Sequence, residues 1–320
     1  MEILYDIKSA KDQLRSTGVT VMSFSNVDAL TDAPAGESVM NQYIKEINKY
    51  SLKDLIQIFG GCLFLNTTVN MYDDQLAKLV PGTEITRYDY DIECIPKIKE
   101  KILEINKTME GKELTSVAAD HDSQNNQSDQ NDIPLWDFYG PYEKLTILRK
   151  YIVDNFKSSV FQMWYRIELP NTHNKDNVSN TVFTMFTSQI HEELTKIYLE
   201  LYGDLEEVQN FGREYNSNTT LQQTFRLQVY EEGCFLSPHR DGGGGHCSML
   251  LYTNEDYVEG MGGELVCIDS KGKEIIVPPT IGLLAIVDFK KDPSHSVNII
   301  KGNNWNRRTI GCWWPAGVQY

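Results

Sequence analysis

The chain has 320 residues, 41% hydrophobic and 11% aromatic, enough to bury a sizeable core as one large domain or as a domain with an appended region. Its formal net charge of -15 and pI near 4.9 argue against general affinity for nucleic-acid phosphates or anionic lipid surfaces. No basic start leads into an apolar run and no stretch reaches membrane-span length, so neither nucleic acid nor membrane is an expected partner, and a cytoplasmic location is the default.

Residues 3–16 place Ile3, Ile7, Ala10 and Leu14 on one helical face, with Gly18 as a stop, and GVTVMSF then reads as a strand. A second helical pattern runs through Met40, Tyr43, Ile44 and Ile47, and a third from near Pro96 through Ile98, Ile102, Ile105 and Met109. These elements make residues 1–110 a helical or mixed region without recognisable chemistry. Residues 111–134, centred on AADHDSQNNQSDQND, hold too little apolar surface to offset their ordering entropy, which predicts a flexible polar loop or linker. His121 inside it reads as a solvated residue.

The remaining chain, residues 135–320, is the expected catalytic domain. Leu145, Leu148, Ile152 and Phe156 mark one helix, and Ile190, Leu194, Ile197 and Leu201 another, with His191 as a surface or boundary residue. After Thr220 the pattern changes to eight short strand-like segments divided by turns: FRLQVY, FLSPHRD, CSMLLYT, GELVCID, EIIVP, GLLAIVDF, HSVNII and RRTIGCWW. Eight is the number a jelly roll needs. The expected fold class is a mainly β core, a jelly roll or double-stranded β-helix, with flanking α-helices (α+β). The six cysteines lack CxxC spacing and read as reduced, buried small hydrophobes rather than a zinc site.

Chemistry concentrates between Tyr230 and Trp314. In YEEGCFLSPHRD, His239 and Asp241 are two positions apart, so on a strand both point to one face while Arg240 points away. His295 in DPSHSV is a third candidate ligand. Two imidazoles and one carboxylate form a facial triad that leaves coordination positions of Fe(II) open, which is a catalytic and not a closed structural arrangement. Other readings of this stretch fail. Gly242–Gly245 lacks the Lys and Ser/Thr of a P-loop, and HRD at 239–241 lacks the Asn and DFG of a kinase. His246, just after the glycines, is expected to be an exposed loop residue.

The ordered series Y-x-x-G-x-F-L-x-P-H-x-D, LLYTN, GGEL, H-S-V and R-x-T followed by Trp resembles the Fe(II)- and 2-oxoglutarate-dependent oxygenases, and within them the prolyl 4-hydroxylase type. The resemblance covers about residues 222–315. It implies that His239, Asp241 and His295 hold Fe(II), and that Arg307 and Thr309 bind the distal carboxylate of 2-oxoglutarate. It implies Tyr230 and Tyr252 beside that cosubstrate and ascorbate as the reductant. Alternation supports Arg307 over Arg308, since Arg307, Thr309, Gly311 and Trp313 share one face, although Arg307 lies slightly farther from His295 than the family usually has it. If Tyr230 points inward, so do Gln228 and Arg226, and these with Trp313 are candidates for contact with the prime substrate.

The implied activity is dioxygen-dependent hydroxylation of an unactivated C–H bond, most simply a prolyl residue in a peptide or protein. The alternatives are a hydroxylase of a free amino acid or other small metabolite, and a cupin-type protein that binds a metal without catalysis.

Overall fold

The computed structural model describes residues 6–23, 39–66, 94–118, 135–157, 160, 162–169, 181–205, 208, 226–240, 246–291, 293–302 and 305–314. Asp241, the Gly242–Gly245 run, His121 and the 119–134 part of the polar stretch lie outside the described residues. So do the side chains of His191 and Trp313.

The first helix, α1 (Ile7–Thr17), buries Ala10 and Leu14 and starts where the Asp6 carboxylate accepts from the Ser9 amide at 2.8 Å. Gly18, at φ 82°, closes it in the left-handed conformation and turns the chain directly into β1 (Val19–Ser23). Helices α2 (Val39–Asn48) and α3 (Leu52–Phe59) follow, the second opened by a reciprocal capping box between Ser51 and Asp54. Then come β2 (Cys62–Asn66), α4 (Cys94–Thr108), β3 (Thr115–Ala118), β4 (Leu135–Tyr139), α5 (Tyr142–Phe156), β5 (Gln162–Glu168) and α6 (Thr181–Tyr202). The stretch expected to be a linker therefore begins with a strand. Alternation in Thr115–Ala118 is too short and too polar to read as one in isolation, and pairing with β4 supplies what propensity lacks.

All eight strands expected after Thr220 form: β6 (Arg226–Tyr230), β7 (Phe235–His239), β8 (Cys247–Tyr252), β9 (Leu265–Ile268), β10 (Glu274–Val277), β11 (Leu283–Asp288), β12 (Ser294–Val297) and β13 (Arg307–Trp314). Pairing is antiparallel throughout, in the order β1-β11-β8-β13-β6-β5-β7-β12-β9-β10, with β2 on β5, β4 on β2 and β3 on β4. The short β5–β7 contact, Gln162 to Leu236 and Met163 to Phe235, is the corner where the large sheet bends into the small one of β7, β12, β9 and β10. This nearly closed barrel is a jelly roll with flanking helices. Strands β1 and β2, from the first 110 residues, are part of the same sheet, paired with β11 and β5.

Alternation divides the large sheet cleanly. Its outer face, with Leu63, Met163, Tyr165, Leu227, Val229, Met249, Leu251, Ile310 and Trp314 all buried, is covered by helices. For example, Tyr198 of α6 stacks on Trp314 with ring centroids 4.6 Å apart. Burying side chains of this size stabilises by about 1.5–3 kcal/mol each, so the outer face anchors the helices. The inner face is different: it carries Arg307, Thr309, Tyr230, Gln228, Tyr252, Trp164 and Arg166. Polar residues on the inside of a barrel need partners or a ligand.

Candidate active site

At one end of the small sheet, His239 and His295 stand opposite each other in register on β7 and β12, with ring centroids 4.1 Å apart. The His239 Nδ1 lies 3.1 Å from the Ser237 carbonyl and 3.0 Å from the His295 carbonyl, and the His295 Nδ1 lies 3.3 Å from the Pro293 carbonyl. A carbonyl can only accept, so in both rings Nδ1 carries the proton and donates, which leaves the lone pair on Nε2. That is the tautomer and orientation a metal-binding imidazole requires. Among the described residues no group of three His, Cys, Asp or Glu side chains is placed to hold a metal. Asp241, the third expected ligand, follows β7 by two positions and lies outside the described residues.

On the inner face of the large sheet lies Arg307, the first residue of β13 and fully buried at 0% exposure. Its register partner on β6 is Tyr230, and its guanidinium carbon lies 4.8 Å from the Tyr230 ring centre and 5.1 Å from that of Tyr252. One terminal nitrogen donates to the Thr309 hydroxyl at 2.7 Å, and the other lies 3.5 Å from the Tyr252 hydroxyl. Its Nε has no hydrogen-bond partner, and among the described residues no carboxylate pairs with this cation. Burial pushes the phenols of Tyr230 and Tyr252 above their ordinary range, partly offset by Arg307, so both are neutral donors at physiological pH.

The stem of Arg307 runs through a slot that depends on Gly263 of the GGEL motif. A Cβ at Gly263 would meet Ile300 Cδ1 at 2.7 Å, Trp305 Cη2 at 3.0 Å and Arg307 Cδ at 3.2 Å, and its φ of 80° belongs to glycine. Strand direction separates the two halves of the site. β7 begins beside Ile300, where Gly233 and Cys234 bond to it, and ends at His239 four residues beyond Phe235. At 3.4 Å per residue, the histidine pair and the arginine end are on the order of 10–15 Å apart along the barrel axis. A long arginine side chain and a five-carbon dicarboxylate can share that gap.

Arg308, by contrast, faces outward. It donates to the carbonyls of Tyr50 at 2.9 Å and Ile47 at 3.4 Å, and to the Asn306 side chain at 2.6 Å, so it anchors α2 and the following turn. Thr309 stands in register with Gln228 on one side and Tyr252 on the other, and Gly311 with Arg226. Trp313 pairs with Ser248 through the backbone. His246 is not the exposed loop residue expected from the glycines before it. It is 3% exposed, stacked between Tyr198 and Tyr202, and its Nδ1 lies 2.6 Å from the Tyr198 hydroxyl, because α6 covers that end of the outer face.

Several site-facing residues escaped the sequence reading. Trp164 stacks on Tyr230 at 6.1 Å, and beside it the nearly buried Arg166 pairs with Asp137 at 2.5 Å, whose other oxygen accepts from Cys62 at 3.3 Å. Alternation in QMWYRIE was the available signal: Trp164 and Arg166 on one face, Met163, Tyr165 and Ile167 on the other.

Residues 225–315 match the family model of the 2OG-Fe(II) oxygenase superfamily. Among solved structures, the chain is similar to a prolyl-4-hydroxylase from Pseudomonas putida, at 12% identity over 97% of this chain and 98% of that one, with a TM-score of 0.42. It is similar to a prolyl hydroxylase from Trichoplax adhaerens in complex with a hypoxia inducible factor oxygen degradation domain peptide fragment, at 10% identity over 88% and 94%, TM-score 0.38. A third is a 2OG-Fe(II) oxygenase family oxidoreductase from Burkholderia pseudomallei, at 12% identity over 98% and 92%, TM-score 0.35. No curated protein sequence matches this chain. The family match falls on the C-terminal third, the stretch where the motif series leads one to expect it.

Proposed function

We propose that His239, Asp241 and His295 hold Fe(II), that Arg307 and Thr309 with Tyr252 and Tyr230 hold the distal carboxylate of 2-oxoglutarate, and that the enzyme hydroxylates a prolyl residue in a peptide or protein. The observation that carries the cosubstrate assignment is the Arg307 guanidinium, buried at 0% exposure with an unpartnered Nε and no carboxylate beside it among the described residues. An uncompensated buried cation is expensive, and a bound carboxylate offsets that cost through charge-assisted hydrogen bonds. Both ends of the site fit the group: two imidazoles with lone pairs on Nε2 at one end, and a guanidinium flanked by two hydroxyl groups at the other.

Iron, when bound with 2-oxoglutarate and dioxygen, supplies the oxidant for an unactivated C–H bond, with carbon dioxide and succinate as coproducts. The chain's own residues do the rest. The Ser237, His295 and Pro293 carbonyls fix the imidazole tautomers. Arg307 sets the position of the dicarboxylate through Thr309, and the Tyr230–Trp164 stack closes the wall beside it against water. The prolyl assignment is supported by the motif series Y-x-x-G-x-F-L-x-P-H-x-D, H-S-V and R-x-T. Ascorbate is the proposed reductant.

The test is succinate formation from 2-oxoglutarate by the purified chain with Fe(II) and ascorbate, against a panel of proline peptides and free amino acids. Stimulation by proline peptides supports the reading. Stimulation only by a free amino acid reassigns the substrate class, and metal binding without turnover favours a binding protein of the same fold.

A further inference from the structure

On the outer face of the large sheet, Arg308 lines a half-open cavity of about 220 Å³ together with Asn48, Asn254, Glu255, Asp256 and Asn306. Asn48 ends α2, residues 254–256 follow β8, and Asn306 directly precedes β13. Sites for drug-sized ligands run to roughly 300–1,000 Å³, so this one suits a small molecule. Its most buried charge is Arg308, which is 9% exposed and has no carboxylate at ion-pair distance among the described residues. Burial lowers its pKa, and Asp256 opposes that shift through space.

The hydrogen bonds around the cavity decide which groups remain for a ligand. Arg308 spends its backbone N–H on Asn254, its Nε on Asn306 and its Nη1 on the Ile47 and Tyr50 carbonyls, which leaves Nη2. Asn306 accepts from Arg308 through Oδ1 and so offers Nδ2, a second donor, beside the guanidinium. Asn48 donates through Nδ2 to the Thr253 carbonyl at 2.7 Å and so offers Oδ1 as an acceptor. Glu255 and Asp256 add two exposed carboxylates. A lone anion would meet those carboxylates, and a lone cation would meet the guanidinium. A molecule that carries both charges is complementary to both walls.

We propose that this cavity binds a small zwitterion of the α-amino-acid type, with its carboxylate on Arg308 Nη2 and Asn306 Nδ2 and its ammonium on Asp256, Glu255 and Asn48 Oδ1. The site is separate from the one assigned to 2-oxoglutarate, because Arg307 and Arg308 alternate to opposite faces of β13. It nevertheless shares strand ends with that clamp: Arg308 adjoins Arg307, and Thr253, whose N–H donates to the Arg308 carbonyl at 3.1 Å, adjoins Tyr252.

The test is calorimetric titration of the full chain with glycine, L-alanine and L-serine, and with acetate and methylamine as single-charge controls. At least one of the three amino acids should bind about tenfold or more tightly than either control. Glu255→Gln combined with Asp256→Asn should weaken that binding about fivefold or more, with the Tm nearly unchanged because both side chains are exposed. Arg307→Met should leave the binding within about twofold, since Arg307 lies on the other face. No binding of any amino acid up to about 10 mM overturns the proposal, as does acetate or methylamine binding equally well. Unchanged binding in the double variant overturns it too. Binding lost in Arg307→Met but kept in the double variant would place the amino acid at the cosubstrate clamp instead. The titrations contain neither iron nor 2-oxoglutarate, so a negative result leaves the oxygenase reading intact.

Discussion

Arg307 and Tyr230 stand in register across β13 and β6, and the Arg307 guanidinium lies 4.8 Å from the centre of the Tyr230 ring. The ring face and the Thr309 hydroxyl orient the guanidinium without neutralising it. The fork is thus set in position before an anion arrives, and preorganisation of this kind lowers the cost of binding.

The two adjacent arginines should separate function from stability. Arg307→Met is expected to raise KM for 2-oxoglutarate at least tenfold with little loss of Tm, because it removes a charge that nothing in the described chain balances. Arg308→Met removes the donor that holds the Tyr50 carbonyl and loosens the anchor of α2, at a cost of about 1–3 kcal/mol, with KM unchanged. Steady-state kinetics and urea unfolding of both variants check this, and the opposite pattern would reverse the two roles.

Gly263→Ala should act on the same clamp from the small sheet. The added methyl meets Ile300, Trp305 and the Arg307 stem at 3.2 Å or less, on a backbone at φ 80°. We expect a lower Tm together with a raised KM for 2-oxoglutarate. The control is Gly272→Ala, also at positive φ (76°) but with nothing within 4 Å, which should cost stability and leave KM unchanged.

Much of this site was legible in the chain. Strand alternation separated Arg307 from Arg308, and the eight strands after Thr220 formed where their turn signals placed them. What was not legible depends on long-range pairing. β2, β3, β4 and β5 come from regions whose local pattern is weak, and they become strands by adding to the edge of the large sheet beyond β6. His246 was misread because a glycine run says nothing about a helix that arrives from fifty residues upstream to cover it. Trp305 lay in a stretch that reads as a plain turn, and its contact with Gly263 exists only once β9 and β13 are brought together.

The Asp137–Arg166 pair offers a test of the extended sheet. Both side chains are nearly buried, at 6% and 10% exposure, and the pair bridges β4 to β5 across β2. Arg166→Met strands the carboxylate and should destabilise by about 3–5 kcal/mol, and adding Asp137→Leu should recover most of that loss. Urea unfolding of the two single variants and the double variant closes the cycle. Full additivity would mean that the pair does not interact.

Alkaline pH should weaken the fold through two acids, the buried Cys234 and the half-buried Tyr142. Burial raises the Cys234 thiol from 9.0 to about 12, and burial with the Glu231 hydrogen bond raises Tyr142 from 10.0 to about 12. The folded chain keeps protons that the unfolded chain releases, so stability falls as pH rises from about 9 towards 12. Urea midpoints at pH 8, 9 and 10 should decline, and Cys234→Ala should flatten the decline.

The most direct test of the central claim is 2-oxoglutarate-dependent succinate formation with Fe(II) by the wild type, His295→Ala and Arg307→Met, each shown to be folded by circular dichroism. Turnover in the wild type, its loss in His295→Ala and its recovery in Arg307→Met only at high 2-oxoglutarate are the expected results. Equal turnover in the wild type and His295→Ala would contradict the iron site, and folded wild type that binds Fe(II) but forms no succinate would contradict the oxygenase assignment.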